Sequence, residues 1–86
     1  MQVRYGRNFR KMYRKLPAPL KQKFGERLDL LLEYGEHPLL NIHFLAGDWR
    51  GYKSMNVTGD IRAVFEVVSD AEIAFEAIGS HSQLYS

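Results

Sequence analysis

Two side chains near the end of the chain bring reactive groups close together. The apolar run ending at Ile78-Gly79 is followed by Ser80-His81-Ser82-Gln83-Leu84-Tyr85. An imidazole exchanges protons near neutral pH, and a tyrosine ring can stack on a nucleobase. Arg62 adds a planar guanidinium, which suits a phosphate gathering negative charge. A guanidinium and an imidazole brought together on one face would suit phosphate chemistry. Each also has a plainer reading. His81 would cap a sheet margin, and Arg62 would bridge Glu66 or Glu76 across strands. His43, in a loop, would bond backbone, and Asp60, in a glycine-containing turn, would serve the turn itself.

The elements that must position these groups can be read from periodicity. Val3-Arg4-Tyr5 is short and β-compatible, and Gly6 breaks it. Asn8 is an N-cap candidate for a helix with Phe9, Met12, Tyr13 and Leu16 on one face. Pro17 and Pro19 end that helix and open a second, whose stripe of Leu20, Phe24, Leu28, Leu31 and Leu32 runs to Gly35. Residues 36–48 read as an irregular connection. Beyond it the period changes to two, and residues 49–57, 61–68 and 72–78 read as strands joined by Thr58-Gly59-Asp60 and Ser69-Asp70-Ala71. A three-residue first loop pairs Val57 with Ile61 and Asn56 with Arg62, gathering Met55, Val57, Ile61, Ala63, Phe65 and Val67 on one apolar face. The same logic in the second hairpin pairs Phe65 with Phe75, Ala63 with Ala77 and Arg62 with Ile78. Ser54, Asn56 and Arg62 then share the opposite face, with His81 just past its end. Trp49 and Phe65 are expected to pack, Leu28, Leu31 and Leu32 to lie in the core, and His37 to be structural or solvent-facing.

The chain of 86 residues predicts one domain, 1–86, with 45% apolar residues and no cysteine. Neither a disulfide framework nor a thiolate metal site is open to it. The histidines and Asp60 show no metal-ligand spacing, so no metal or other cofactor is expected. No glycine-rich phosphate loop or nucleophile elbow occurs. No apolar run approaches the roughly 20 residues of a membrane span, which sets the expectation of a cytosolic protein without a membrane partner. The net charge of +2 hides an asymmetry: residues 1–27 hold nine bases and one acid, and residues 28–86 three bases and nine acids. A basic N-terminal third points to a polyanionic partner, nucleic acid or an acidic protein. Its plain alternative is an ordinary solvated helix face.

Three segments in order, His43-Phe44-Leu45-Ala46-Gly47-Asp48-Trp49-Arg50-Gly51-Tyr52, Val57-Thr58-Gly59-Asp60-Ile61-Arg62 and Ile78 to Tyr85, resemble the RelE superfamily of bacterial toxins, in particular its YafQ-like branch. The resemblance implies a RelE-like α+β fold, an N-terminal helical hairpin packed on a small antiparallel sheet. It also implies a metal-free ribonuclease that cuts messenger RNA on the ribosome through attack by the ribose 2′-hydroxyl. The partners it implies are a cognate small antitoxin, the ribosome and mRNA, and a higher-order toxin–antitoxin complex on operator DNA. By position, His43, His81, Asp60 and Arg62 match catalytic positions, and Tyr85 matches a terminal aromatic that meets substrate. Asn56 and Lys53, on the first strand of the sheet, join Tyr85 as candidate substrate contacts.

The chain departs from that branch at Ser54 and Asn56, where the pattern has an aspartate and a histidine. Neither residue acts as a general base near neutrality, so more of the proton transfer falls to the tail. Three other readings stay open. One is a ParE-like gyrase inhibitor, which shares the fold and needs no nuclease site. Another is a catalytically inactive RNA-binding homologue, and the third is a structural subunit of a toxin–antitoxin complex whose role is operator binding. Fold alone does not separate them.

Overall fold

In the computed structural model, which describes residues 1–85, the chain runs β1 (Gln2–Tyr5), α1 (Arg7–Arg14), α2 (Ala18–Tyr34), β2 (His43–Phe44), β3 (Lys53–Asn56), β4 (Ile61–Ser69), β5 (Glu72–Ser80) and α3 (His81–Tyr85). Short 3-10 turns at Pro38–Leu40 and Gly47–Trp49 fill the connection expected to be irregular. The strands form one sheet in the order β1-β5-β4-β3-β2. The architecture is α+β, as expected, but the sheet is mixed rather than antiparallel, because β1 runs parallel to β5, from Gln2 opposite Glu72 to Tyr5 opposite Phe75. Four residues of strand propensity say nothing about direction. Direction is set when the chain turns at Gly6 and lays α1 across β5.

Gly6, not Asn8, is the N-cap of α1. A Cβ on Gly6 would lie 2.8 Å from Glu76 Oε2, so any larger residue there would have to push the Glu76 carboxylate aside. Asn8 instead sits inside the helix, and its Nδ2 donates to the Glu76 carbonyl at 3.1 Å. The stripe of α1 and α2 buries an aromatic cluster: Phe9, Phe24 and Phe75 lie with ring centroids 5.2–5.6 Å apart, flanked by Tyr5 and Tyr13. Full burial of one such ring stabilises by about 1.5–3 kcal/mol. Leu31 joins this core, but Leu32 is 42% exposed, contrary to expectation. At about 100° per residue, Leu31 returns to within about 20° of Phe24 while Leu32 swings about 80° away. Gly35, at φ +68, ends α2.

The β3–β4 register is the expected one, with Asn56 opposite Arg62 and Met55 opposite Ala63. In the second hairpin Phe65 faces Phe75 as expected, but Ala63 faces Ile78 and Arg62 faces Gly79. The cause is a bulge: Glu76 is an extra residue between the pairs Val64–Ala77 and Phe65–Phe75. One inserted residue reverses every later side chain. Ile78 therefore enters the main core, and Ala77 turns to the other face. There Val64, Ala77 and Leu84 form a second cluster, against which Leu45, Trp49, Tyr52 and Tyr85 pack. The face that carries Ser54 and Arg62 is thus roofed in part by α3 and the Gly47–Trp49 turn. Among the described residues no helix is long and apolar enough to cross a membrane.

Candidate active site

The tail after β5 is a helix with its own start signal. The Ser80 backbone N–H donates to Gln83 Oε1 at 2.8 Å, and the Gln83 N–H donates to Ser80 Oγ at 3.2 Å. This is a reciprocal capping box, which the spacing Ser80-His81-Ser82-Gln83 already spells. Gly79 leaves room for this box, because a Cβ there would lie 2.7 Å from Gln83 Oε1 and 3.1 Å from Met12 Cε and would push the Gln83 amide aside. His81 and Tyr85 stand one turn apart on the resulting helix, edge to face, with ring centroids 4.7 Å apart.

The helix closes one wall of a cleft lined by His43, Ser54, Arg62, His81 and Tyr85, with Asn41, Leu45 and Ala46 completing it. Arg62 enters from β4, and its Nη1 donates to the carbonyls of Thr58 and Gly59 at 3.1 and 2.9 Å. One nitrogen anchors the fork, and the remaining N–H groups are available to an anion. His43 enters from β2, with Nδ1 2.9 Å from the Asn41 carbonyl. A carbonyl oxygen only accepts, so Nδ1 carries the proton and, in the neutral ring, Nε2 holds the lone pair. Asn41 presents that carbonyl from a left-handed conformation, φ +46, which asparagine tolerates. Ser54, 1% exposed, receives the Tyr85 hydroxyl at 3.3 Å. Trp49 Nε1 donates to the Leu84 carbonyl at 2.9 Å. Beside it, the Tyr52 phenol is pushed above the ordinary tyrosine range, first by burial and then by Glu66 and Glu76.

Four of the residues singled out from sequence, His43, Arg62, His81 and Tyr85, therefore line one cleft. The other three lie outside its lining. Lys53 points to the opposite face, ion-paired with Glu36 at 2.6 Å and 4.8 Å above the Phe44 ring. It lines an apolar groove with Leu31, Leu32, Ile42 and Val67. Asp60 is exposed in the β3–β4 loop, where its backbone N–H meets Thr58 Oγ1 at 3.3 Å. Asn56 borders a separate hollow with Arg27 and Leu39, and its Oδ1 is buried without a hydrogen-bond partner among the described residues. Sequence reasoning missed Trp49, Ser80, Gln83 and Asn41 as supports. The capping box was recognisable, but no local pattern announces a bond between side chain 49 and carbonyl 84. Among the described residues no three histidine or acidic side chains are grouped to hold a metal ion. A second charged feature lies on the helical side, where Arg7, Arg10 and Arg14 of α1 flank Tyr5 in a shallow groove.

No family model and no curated protein matches this chain by sequence. Solved structures do match. YafQ from E. coli strain BL21(DE3) is 21% identical with a TM-score of 0.81, over 99% of this chain and 98% of that one. The YoeB/ParE toxin from Agrobacterium tumefaciens is 19% identical with a TM-score of 0.78, over 94% and 99%. YafQ within the E. coli DinJ-YafQ toxin-antitoxin complex is 23% identical with a TM-score of 0.70, over 99% and 97%. At such identities the likeness establishes fold. The chain has the α+β fold of RelE- and YafQ-type proteins, from the first strand to the terminal helix.

Proposed function

We propose that this chain is the toxin of a type II toxin–antitoxin system, a single-domain ribosome-dependent endoribonuclease that cleaves messenger RNA. The carrying observation is the convergence of His43, Arg62, His81 and Tyr85 on one cleft. In the proposed step, His43 Nε2 takes the proton of a ribose 2′-hydroxyl. The 2′-oxygen attacks the adjacent phosphorus, forming a P–O2′ bond. The P–O5′ bond breaks as His81, protonated beforehand, gives its proton to the departing 5′-oxygen. The products are a 2′,3′-cyclic phosphate and a 5′-hydroxyl, so the step balances with no further reactant. Arg62 neutralises charge on the phosphorane through the N–H groups not engaged by Thr58 and Gly59. Tyr85, oriented by Ser54, stacks on a neighbouring base.

The basic face of α1 suits ribosomal RNA, and it equally suits an acidic antitoxin segment that blocks docking. A similar fold bound by its antitoxin in the DinJ-YafQ complex supports such a partner. A higher-order complex of toxin and antitoxin on operator DNA belongs to the same reading, and the cytosol is its compartment.

The test is programmed bacterial ribosomes with a defined mRNA, comparing the wild type with His81→Ala and Arg62→Ala. Cleavage should fall by about 10²–10³-fold in each variant. Intact mRNA with altered DNA supercoiling on expression would instead establish the gyrase reading.

A further inference from the structure

We infer that Trp49 is a positioning residue of the cleft, acting through the hydrogen bond from its indole N–H to the Leu84 carbonyl; this rests on the nuclease reading above. A helix of five residues, His81–Tyr85, is far too short to hold its shape in water unaided. Its first turn is fixed by Ser80 and Gln83. Its last turn exposes carbonyls that no later turn satisfies, and Trp49 supplies a donor to one of them at 2.9 Å.

The bond spans 35 residues and ties α3 to the Gly47–Trp49 turn. That turn follows directly on Leu45 and Ala46, which line the cleft from the other side. The Trp49 ring packs against the cluster of Val64, Ala77 and Leu84 and meets Tyr52 edge to face at 5.5 Å. Trp49 thus holds the helix from beneath while His81 and Tyr85 face the cleft. Losing the donor leaves the Leu84 carbonyl unpaired beside a side chain only 8% exposed, which favours release of the last turn. The bond from the Tyr85 hydroxyl to Ser54 Oγ, at 3.3 Å, is longer and joins two rotatable hydroxyls. Both catalytic and stacking rings would then lose their fixed positions together.

Trp49 is the only tryptophan in the chain, so biosynthetic replacement with benzothienylalanine exchanges the indole N–H for sulfur at one site and keeps the ring. NMR should show the His81 ring protons losing the shift imposed by the Tyr85 ring, and the Leu84 and Tyr85 amides losing about tenfold in exchange protection. In the ribosome assay kcat should fall about tenfold to a hundredfold with KM within about twofold. Trp49→Phe should repeat both results. Phe24→Leu, in the main core, should lower stability while leaving the His81 shifts and the rate in place. The inference is overturned if the sulfur analogue keeps the shifts and amide protection, or loses them at undiminished kcat. A wild type that cleaves nothing removes the nuclease reading, and the NMR measurements alone then decide whether Trp49 fixes the helix.

Discussion

At the scale of single residues, the cleft separates groups that donate from groups that accept. Asn41 fixes which nitrogen of His43 is protonated, and Ser54, which cannot serve as a base, accepts the hydrogen bond of the Tyr85 hydroxyl. Residue types (histidines, an arginine and a terminal aromatic) suggested phosphate chemistry, and what the structure adds is that these side chains line one cleft. Lys53 was misplaced although period-two alternation already puts it opposite Ser54. Asp60 was carried by resemblance, and its loop position keeps it away from the cleft lining. Two tyrosines add a titration outside the chemistry. Burial, and then Tyr13, raises the Tyr5 phenol above its ordinary 10.0, and burial with Glu66 and Glu76 raises Tyr52. The folded chain therefore holds these protons more tightly than the unfolded chain. Their contribution is fully present below about pH 10 and is lost as pH rises through the raised folded values. Thermal midpoints measured across pH 9 to 11 should fall, and Tyr5→Phe should flatten the fall.

At the scale of elements, glycines decide where helices can meet the sheet. Gly79→Ala forces Gln83 or Met12 to move and breaks the capping box. It should cost about 1–2 kcal/mol in chemical denaturation and unmask the amides of α3. Gly25, in the middle of α2, has nothing within 4 Å of an added Cβ. Gly25→Ala should therefore gain up to about 1 kcal/mol from helix propensity alone, with cleavage unchanged. Both main helices and the two nine-residue strands, β4 and β5, were legible because each repeats its period over several turns or pairs; of the strand expected over 49–57 only Lys53–Asn56 forms, since Gly47–Trp49 winds into a 3-10 turn. The bulge at Glu76 was not, since the inserted residue looks like any outward-facing strand glutamate. Its position is set by partners far along the chain: Asn8 Nδ2 donates to the carbonyl of Glu76, and Gly6 leaves room for its carboxylate. The two-residue β2 and the parallel pairing of β1 likewise depend on neighbours that no local window contains.

At the scale of the whole molecule, charge is divided between two surfaces. The arginines at positions 7, 10 and 14 lie on the helical side, and the cleft lies on the far side of the sheet. Replacing Arg7, Arg10 and Arg14 with glutamine should reduce the slope of log affinity for ribosomes against log salt by about 2–3. Cleavage at saturating ribosomes should stay near the wild-type rate, because these residues do not line the cleft. The strand order carries a further consequence, for synthesis. β5 is the last strand made, yet it lies between β1 and β4 and supplies Phe75 to the centre of the core. A nascent chain lacking it has neither a partner for its first strand nor a completed core. Folding must wait for contacts about seventy residues apart in sequence, Gln2 with Glu72 among them. The helix that closes the cleft follows β5 directly in the chain. With this topology neither the core nor the cleft can assemble from the first seventy residues, so both arise together, late, from one strand and the helix that follows it.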